Sequence, residues 1–401
     1  MKTTFISATF ILLASSALTL PVYAEDVPPV VTALFKGWEA LKVTPTYDKL
    51  ETDSDGNVTI TNLTATIPAK DAGPEVKFTA GEITLNDVSD EANGIIEVRS
   101  INATDSKAEI AMGDGKNVVV EMPKSSAEGL HLRVAVDNPT PQQAFLSNYS
   151  MADKASSGAI KITAMGQTIT SDGYEATWDG DPATGNGKIA FTLKNIAIPE
   201  AALTAIDTAG QMKQLGYSDL SFDVSGGAEL KVADDKFGFT STFAYSGKDI
   251  GAFKFALDAN DIPMAAMAEM QKAQKEQRQP DMSALMPQLM GVSFGNFQLR
   301  FEDASITKKL LPLIAKMQGM DEATMVASAG AMVQVGMMSL KNQAFTDQVV
   351  GAVNAFLKDP KSITVSMKPA QPVAVQSLMT LNPADPAAAI TLLGVAVTAN
   401  D

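Results

Sequence analysis

Gly187-Lys-Ile-Ala-Phe191-Thr-Leu193-Lys-Asn-Ile-Ala-Ile198-Pro199-Glu-Ala-Ala202 returns 64 positions later as Gly251-Ala-Phe-Lys-Phe255-Ala-Leu257-Asp-Ala-Asn-Asp-Ile262-Pro263-Met-Ala-Ala266. Seven of the twenty aligned positions are identical. Phe and Leu two apart point to one face of a strand. The Ile-Pro pair ends that strand, because a residue before proline is kept out of the helical region. Proline in turn suits a helix start. Leu203, Ile206, Ala209, Met212 and Leu215 then recur at helical spacing up to Gly216. Each repeat therefore reads as a strand handing over to an amphipathic helix, in units that bury their apolar faces against one another. Gly295, Leu299, Phe301 and Ile306-Thr307 keep the spacing without the proline, and Gly129 with Thr140-Pro141 is a fainter echo.

Upstream, residues 47–136 alternate in short segments such as Val58-Thr-Ile60-Thr-Asn-Leu63, Val76-Lys-Phe78 and Ile83-Thr-Leu85. Asp55-Gly56-Asn57 and Asn93-Gly94 punctuate them, the pattern of an antiparallel meander with one wet face. A helix is expected at residues 28–41. Downstream, residues 271–280 hold no strongly apolar side chain and read as a linker or solvated helix end. Helices are expected beyond it at 281–290, 308–318, 321–340 and 344–358, with a strand at 363–367. Asp385-Pro386 opens a last helix and Gly394 ends it. The expected organisation is a leader at 1–24, a β-rich region at 25–270, the polar stretch at 271–280 and a helix-rich region at 281–401. The expected fold is α+β: a long curved antiparallel sheet with amphipathic helices on one face, built partly from strand–helix repeats.

The leader has three zones: Lys2, a 16-residue apolar run over residues 5–20, and Val22-Tyr23-Ala24. The run is short of the roughly 20 residues a spanning helix needs, and its small-residue end fits signal peptidase. Export to a bacterial periplasm with cleavage after Ala24 is expected, leaving no transmembrane segment. That cleavage removes Lys2 and leaves 30 basic against 46 acidic side chains. No basic excess remains to displace phosphate counterions, so nucleic acid is not an expected partner. A cysteine-free exported chain of this length relies on its core for stability.

Chemistry-bearing constellations are few. His131, the one histidine, sits between Leu130 and Leu132 in a strand-like run with no nucleophile motif upstream. Cysteine nucleophiles and Cys/His zinc sites are excluded by composition. Ser305-Ile-Thr-Lys308 matches a Ser-x-x-Lys pair but lacks its partner motifs and falls at a repeat junction. The 180–188 loop lacks the Gly-Lys-Ser/Thr of a phosphate loop. Asp53, Asp55 and Asn57 have alternating oxygens, yet Thr64 stands where a calcium loop needs glutamate. No cofactor, metal or catalytic residue is expected. Twelve of the 20 methionines lie between Met264 and Met338. Met264, Met267, Met282 and Met286 recur at helical spacing, as a core stripe would. The same spacing also makes a flexible apolar ligand surface, and these four are the candidate ligand residues.

The strand–helix units and the tail over residues 363–400 resemble envelope proteins of the YdgA-like type. Asn57-Val-Thr-Ile-Thr-Asn-Leu-Thr, Val76-Lys-Phe-Thr-Ala and Ile83-Thr-Leu-Asn-Asp-Val are similar to the β-rich periplasmic part of AsmA-like proteins. The latter resemblance implies outer-membrane biogenesis and lipid movement along a β-groove. Residues and resemblance together lead to the expectation of a non-enzymatic periplasmic protein binding a lipid-like hydrophobic ligand or an envelope partner. A cavity-free assembly factor is the alternative, and an envelope-polymer hydrolase the third.

Overall fold

The computed structural model describes residues 27–401 except 41–42, 44, 69–73, 113–116, 135–138, 147–149, 234, 276–277 and 383–384. The leader at 1–24 lies outside the described residues. The fold is α+β and mostly antiparallel sheet. Packing divides the chain into two compact units, Met1–Gly158 and Ala159–Asp401.

The first unit holds α1 (Pro29–Ala40), β1 (Lys49–Thr52), β2 (Val58–Ile67), β3 (Val76–Val88), β4 (Ile95–Ala111), β5 (Asn117–Arg133), α2 (Pro141–Leu146) and β6 (Met151–Ser157). Its strands pair antiparallel in chain order, the expected meander. Val30, Val31 and Phe35 of α1 close over Val58, Ile60, Leu63, Ile83, Leu85, Ile96, Val98, Leu130 and Leu132. The buried positions do not keep a strict period of two. Ile60 is followed by Leu63, Leu85 by Val88, and Ala103 by Ser106. A left-handed residue stands at these three steps, Asn62 (φ 54°), Asp87 (φ 50°) and Asp105 (φ 49°), whereas Ala80 to Ile83 and Val98 to Ile101 step by three without one. Such a residue turns the strand by one position without changing its register, so the next apolar side chain comes back to the same face. Asn, Asp and Gly tolerate that conformation best.

The second unit begins with β7 (Ile160–Ala164), β8 (Gln167–Ser171), β9 (Gly173–Gly180), β10 (Gly187–Ile198), α3 (Glu200–Ile206), α4 (Gln211–Gln214), β11 (Leu220–Ala233), β12 (Lys236–Gly247) and β13 (Gly251–Pro263). It continues with α5 (Met264–Lys275), α6 (Met282–Leu289), β14 (Ser293–Asp303), α7 (Ile306–Met317), α8 (Glu322–Met337), α9 (Gln343–Lys358), β15 (Ser362–Met367), β16 (Val373–Ala374), α10 (Val375–Met379), α11 (Pro386–Leu393) and β17 (Val395–Ala399). Strands β9, β10, β11, β12, β13, β14, β15 and β17 are neighbours in that order, each antiparallel to the next.

The repeat is present as strand then helix: β10 into α3, β13 into α5, and β14 into α7. Both prolines stand immediately before the helix, Pro199 as N-cap and Pro263 as the last strand residue. Two strands separate β10 from β13, so the copies run in opposite directions and their helices leave from opposite ends of the sheet. The helix expected through Leu215 is broken. Gly210 is left-handed (φ 67°), and the Asp207 carboxylate accepts the backbone N–H of Gln211 and Met212 at 2.8 and 2.7 Å, starting α4 afresh.

The expected boundary at 271–280 falls inside the second unit. Arg278 pairs with Glu269 of α5 and donates its backbone N–H to Ala273. Beyond it, β14 pairs with β13 along most of its length, which joins the helix-rich C-terminal region to the same sheet.

Candidate functional site

Cross-strand partners in the second unit sort its sheet into two unlike faces. Lys188, Glu229, Lys231, Lys254, Arg300 and Glu302 stand on one. Lys254 meets Glu302 at 2.7 Å, and Arg300 bonds Glu302 at 2.8 Å and Asp401 at 2.7 Å. The Lys254 and Arg300 bonds hold the Glu302 carboxyl below its ordinary range. This face is wet and ionic.

The other face is apolar three rows deep. Phe191, Gly226, Phe243, Phe255, Leu299, Val365 and Val397 lie directly opposite one another across seven strands. One row away run Leu193, Val224, Tyr245, Phe253, Phe301 and Ile363, and on the other side Ile189, Ala228, Leu257, Phe297 and Met367, interrupted on β12 by Ser241. Phe253 and Phe301 rings are 4.8 Å apart, Phe255 and Phe297 5.6 Å. Gly226 is required here: a Cβ on it would come within 2.7 Å of the Phe191 ring, which lies over the bare backbone.

Helices cover the margins of this face and leave its middle open. At one set of strand ends, Leu203 of α3 and Ile306, Leu310 and Leu313 of α7 pack with Ile196, Leu220, Phe222 and Tyr245. Burial pushes the Tyr245 phenol up to about 12. At the opposite ends, where α5 and α6 follow β13, Phe237, Ala259 and Ile262 are buried. Toward the β17 edge, Val349 and Ala352 of α9 bury Val397. Between these margins Phe253 is 50% exposed, Phe243 43%, Leu299 40%, Val365 38% and Ile189 37%. The band crosses strands β10 to β15, which at ~4.8 Å per strand makes it about 24 Å long. An exposed, contiguous apolar surface of this kind marks an interaction site.

The four candidate methionines differ in exposure. Met264 is fully buried, Met267 and Met286 are half-buried, and Met282 is 48% exposed. Two hollows stand out among the described residues. One, of about 280 Å³, is lined by Asn102, Thr104, Lys124, Ser125, Ser126 and Ser156, with Ala103 and Gly158. The other, of about 240 Å³, is lined by Glu200, Asp207, Lys213 and Tyr217 among others. None of the four methionines borders either. Both hollows are smaller than the ~300–1,000 Å³ usual for small-molecule sites.

Other sequence candidates take ordinary positions. Asp53, Asp55 and Asn57 form the β1–β2 hairpin turn, where the Asp53 carboxylate accepts both backbone N–H groups at 2.9 Å. The 180–188 loop is likewise a hairpin connection, between β9 and β10. Ser305 is the N-cap position of α7 and donates its hydroxyl to the Asp249 carbonyl. His131 stands on β5 with Nδ1 3.7 Å from Glu97 and Nε2 3.6 Å from Asp153. No group of three or more His, Cys, Asp or Glu suited to a metal ion occurs among the described residues. Sequence reasoning missed the aromatic band. Its alternating Phe and Leu positions were legible strand by strand, but their alignment needs the pairing register.

Residues 244–400 match the model of a family described as "Uncharacterized protein". No curated protein matches the chain. The matched stretch runs from within β12 to the end of β17 and contains Phe253, Leu299, Val365 and α8.

Proposed function

We propose that this chain is an exported, non-enzymatic binder of a long-chain, lipid-like molecule, held along the open aromatic band of the second unit. The observation that carries the reading is the side-by-side exposure of Phe243, Phe253, Leu299 and Val365 on a face whose margins are closed by helices. Its length of about 24 Å exceeds the ~15 Å that one leaflet's acyl chains occupy, half of the ~30 Å bilayer core. An extended acyl chain therefore fits across the strands. The band is lined chiefly by aromatic and aliphatic side chains, so recognition there rests on apolar area and aromatic faces. The leader at 1–24 supports a periplasmic setting, where such ligands are at hand.

The test uses the full chain and a fluorescent fatty-acid probe displaced by unlabelled long-chain fatty acid. Phe243→Lys removes one contact worth about 1.5–3 kcal/mol, so probe affinity should fall at least about tenfold. Lys254→Ala on the wet face should leave it unchanged. Equal binding by Phe243→Lys, or no probe binding by the unaltered chain, sinks the ligand reading and leaves the band as a docking surface for an envelope protein.

A further inference from the structure

Helix α8 sits oddly in an acidic, well-charged protein. From Ala323 to Leu340 the chain has no charged residue for eighteen positions. The run Glu322–Leu340 is long and apolar enough to cross a membrane by length and composition, yet only 6% of it is buried. One side is accounted for: Val333 and Met337 pack with Val349 and Phe345 of α9, and Gly330 lies so close to Asn354 that a Cβ would meet its side chain at 2.6 Å. The other side faces out. Met332 is 73% exposed, Val335 68% and Met338 70%, beside exposed Ala327 and Ala331. A surface helix ordinarily turns charged residues outward, and this one turns methionine, valine and alanine, with only the uncharged Thr324, Gln334 and Ser339 among them.

We infer that the outward face of α8 docks on a lipid bilayer, lying in the plane of its surface. The inference builds on the ligand reading above, since a binder of membrane lipid has to meet the bilayer that holds it. Two observations favour a bilayer over a second copy of the chain. A 16-residue helix about 24 Å long and ~10 Å wide presents roughly 240 Å², against the ~800 Å² per partner of a stable protein interface. Its outward face also lacks the Trp, Tyr and Arg anchors that give protein interfaces their energy, while binding to a bilayer grows with the apolar area buried. The helix lies flat because its inner side is held by α9 and because Asp321 and Glu322 close its N-terminal end. Asp321 is tied there as the cap, accepting from the Thr324 backbone at 2.8 Å. The acidity of the chain works against adsorption by charge, so docking is apolar and does not depend on anionic lipid.

The chain has no cysteine, so Val335→Cys takes a single environment-sensitive fluorophore. Lys358→Cys, exposed on α9, serves as the control position. With phosphatidylcholine vesicles, the label at 335 should shift to the blue, the label at 358 should not, and raised salt should leave the shift intact. Adding Met332→Lys and Met338→Lys should abolish it, and since both positions are exposed the fold should survive, as read by circular dichroism. No shift at 335, an equal shift at 358, or a vesicle-independent shift that grows with protein concentration would overturn the inference, the last in favour of self-association. Phe243→Lys separates the two readings: it should lose the fatty-acid probe while keeping the vesicle shift at 335.

Discussion

Asn62, Asp87, Asp105 and Gly129 decide the first unit's sheet at the residue scale. Each is left-handed, and across each the buried side chains step by three instead of two. Without that step a ten-residue strand such as β2 would turn half of its apolar side chains to water. In the second unit Asn195 (φ 49°) stands between Leu193 and Ile196, and Asp261 (φ 57°) between Ala259 and Ile262, and there the pairing register shifts as well. Asn62 also donates its side-chain amide to Asp48 at 2.8 Å. Asn62→Gly loses that exposed bond but keeps the conformation. Asn62→Val loses both and forces a β-branched residue into αL, at ~1–2 kcal/mol. Urea unfolding should therefore rank the chain as wild type, then Gly, then Val, with the Gly-to-Val gap about that size. Equal stability of the two variants would show that the αL step does not hold the face.

Among the elements, helical spacing in sequence does not distinguish a core stripe from a surface. Met264 begins α5 at the end of β13, where the chain has just left the sheet, and is fully enclosed. Met282 begins α6 beside its capping Asp281 and stands half in water. Met264→Ala should cost about 2–5 kcal/mol, the range for truncating a buried methionine. Met282→Ala, at an exposed site, should stay within ~0.5 kcal/mol. Thermal unfolding of the two variants reads the difference, and a large loss at Met282 would mean that α6 is packed more tightly than its exposure indicates. The broken helix after Ile206 has a similar origin. Its apolar period was legible, whereas the capture of two backbone N–H groups by Asp207 is a local competition that periodicity ignores.

For the whole molecule, the expectation of export rests on the sequence of residues 1–24. Fractionated cells should hold a processed form in the periplasm that begins at Glu25. N-terminal sequencing that finds a full-length, membrane-bound form would refute it. The polar stretch at 271–280, expected as a linker or solvated helix end, begins on the end of α5, and the compact units divide at Gly158. Composition marks where a chain is solvated, and only strand pairing marks which segments share a core: β14, β15 and β17 lie far along the chain yet complete the sheet begun by β9. By itself, the sequence determined the kinds of element, the strand-to-helix junctions at Pro199 and Pro263, the last cap at Asp385 and the stop at Gly394, all of which depend on neighbours a few residues apart. Tertiary structure alone decided the alignment of Phe191, Phe243, Phe255, Leu299 and Val365 into one band. It also decided the head-to-tail arrangement of the repeats and the exposure of α8, because each depends on register and coverage between segments tens of residues apart.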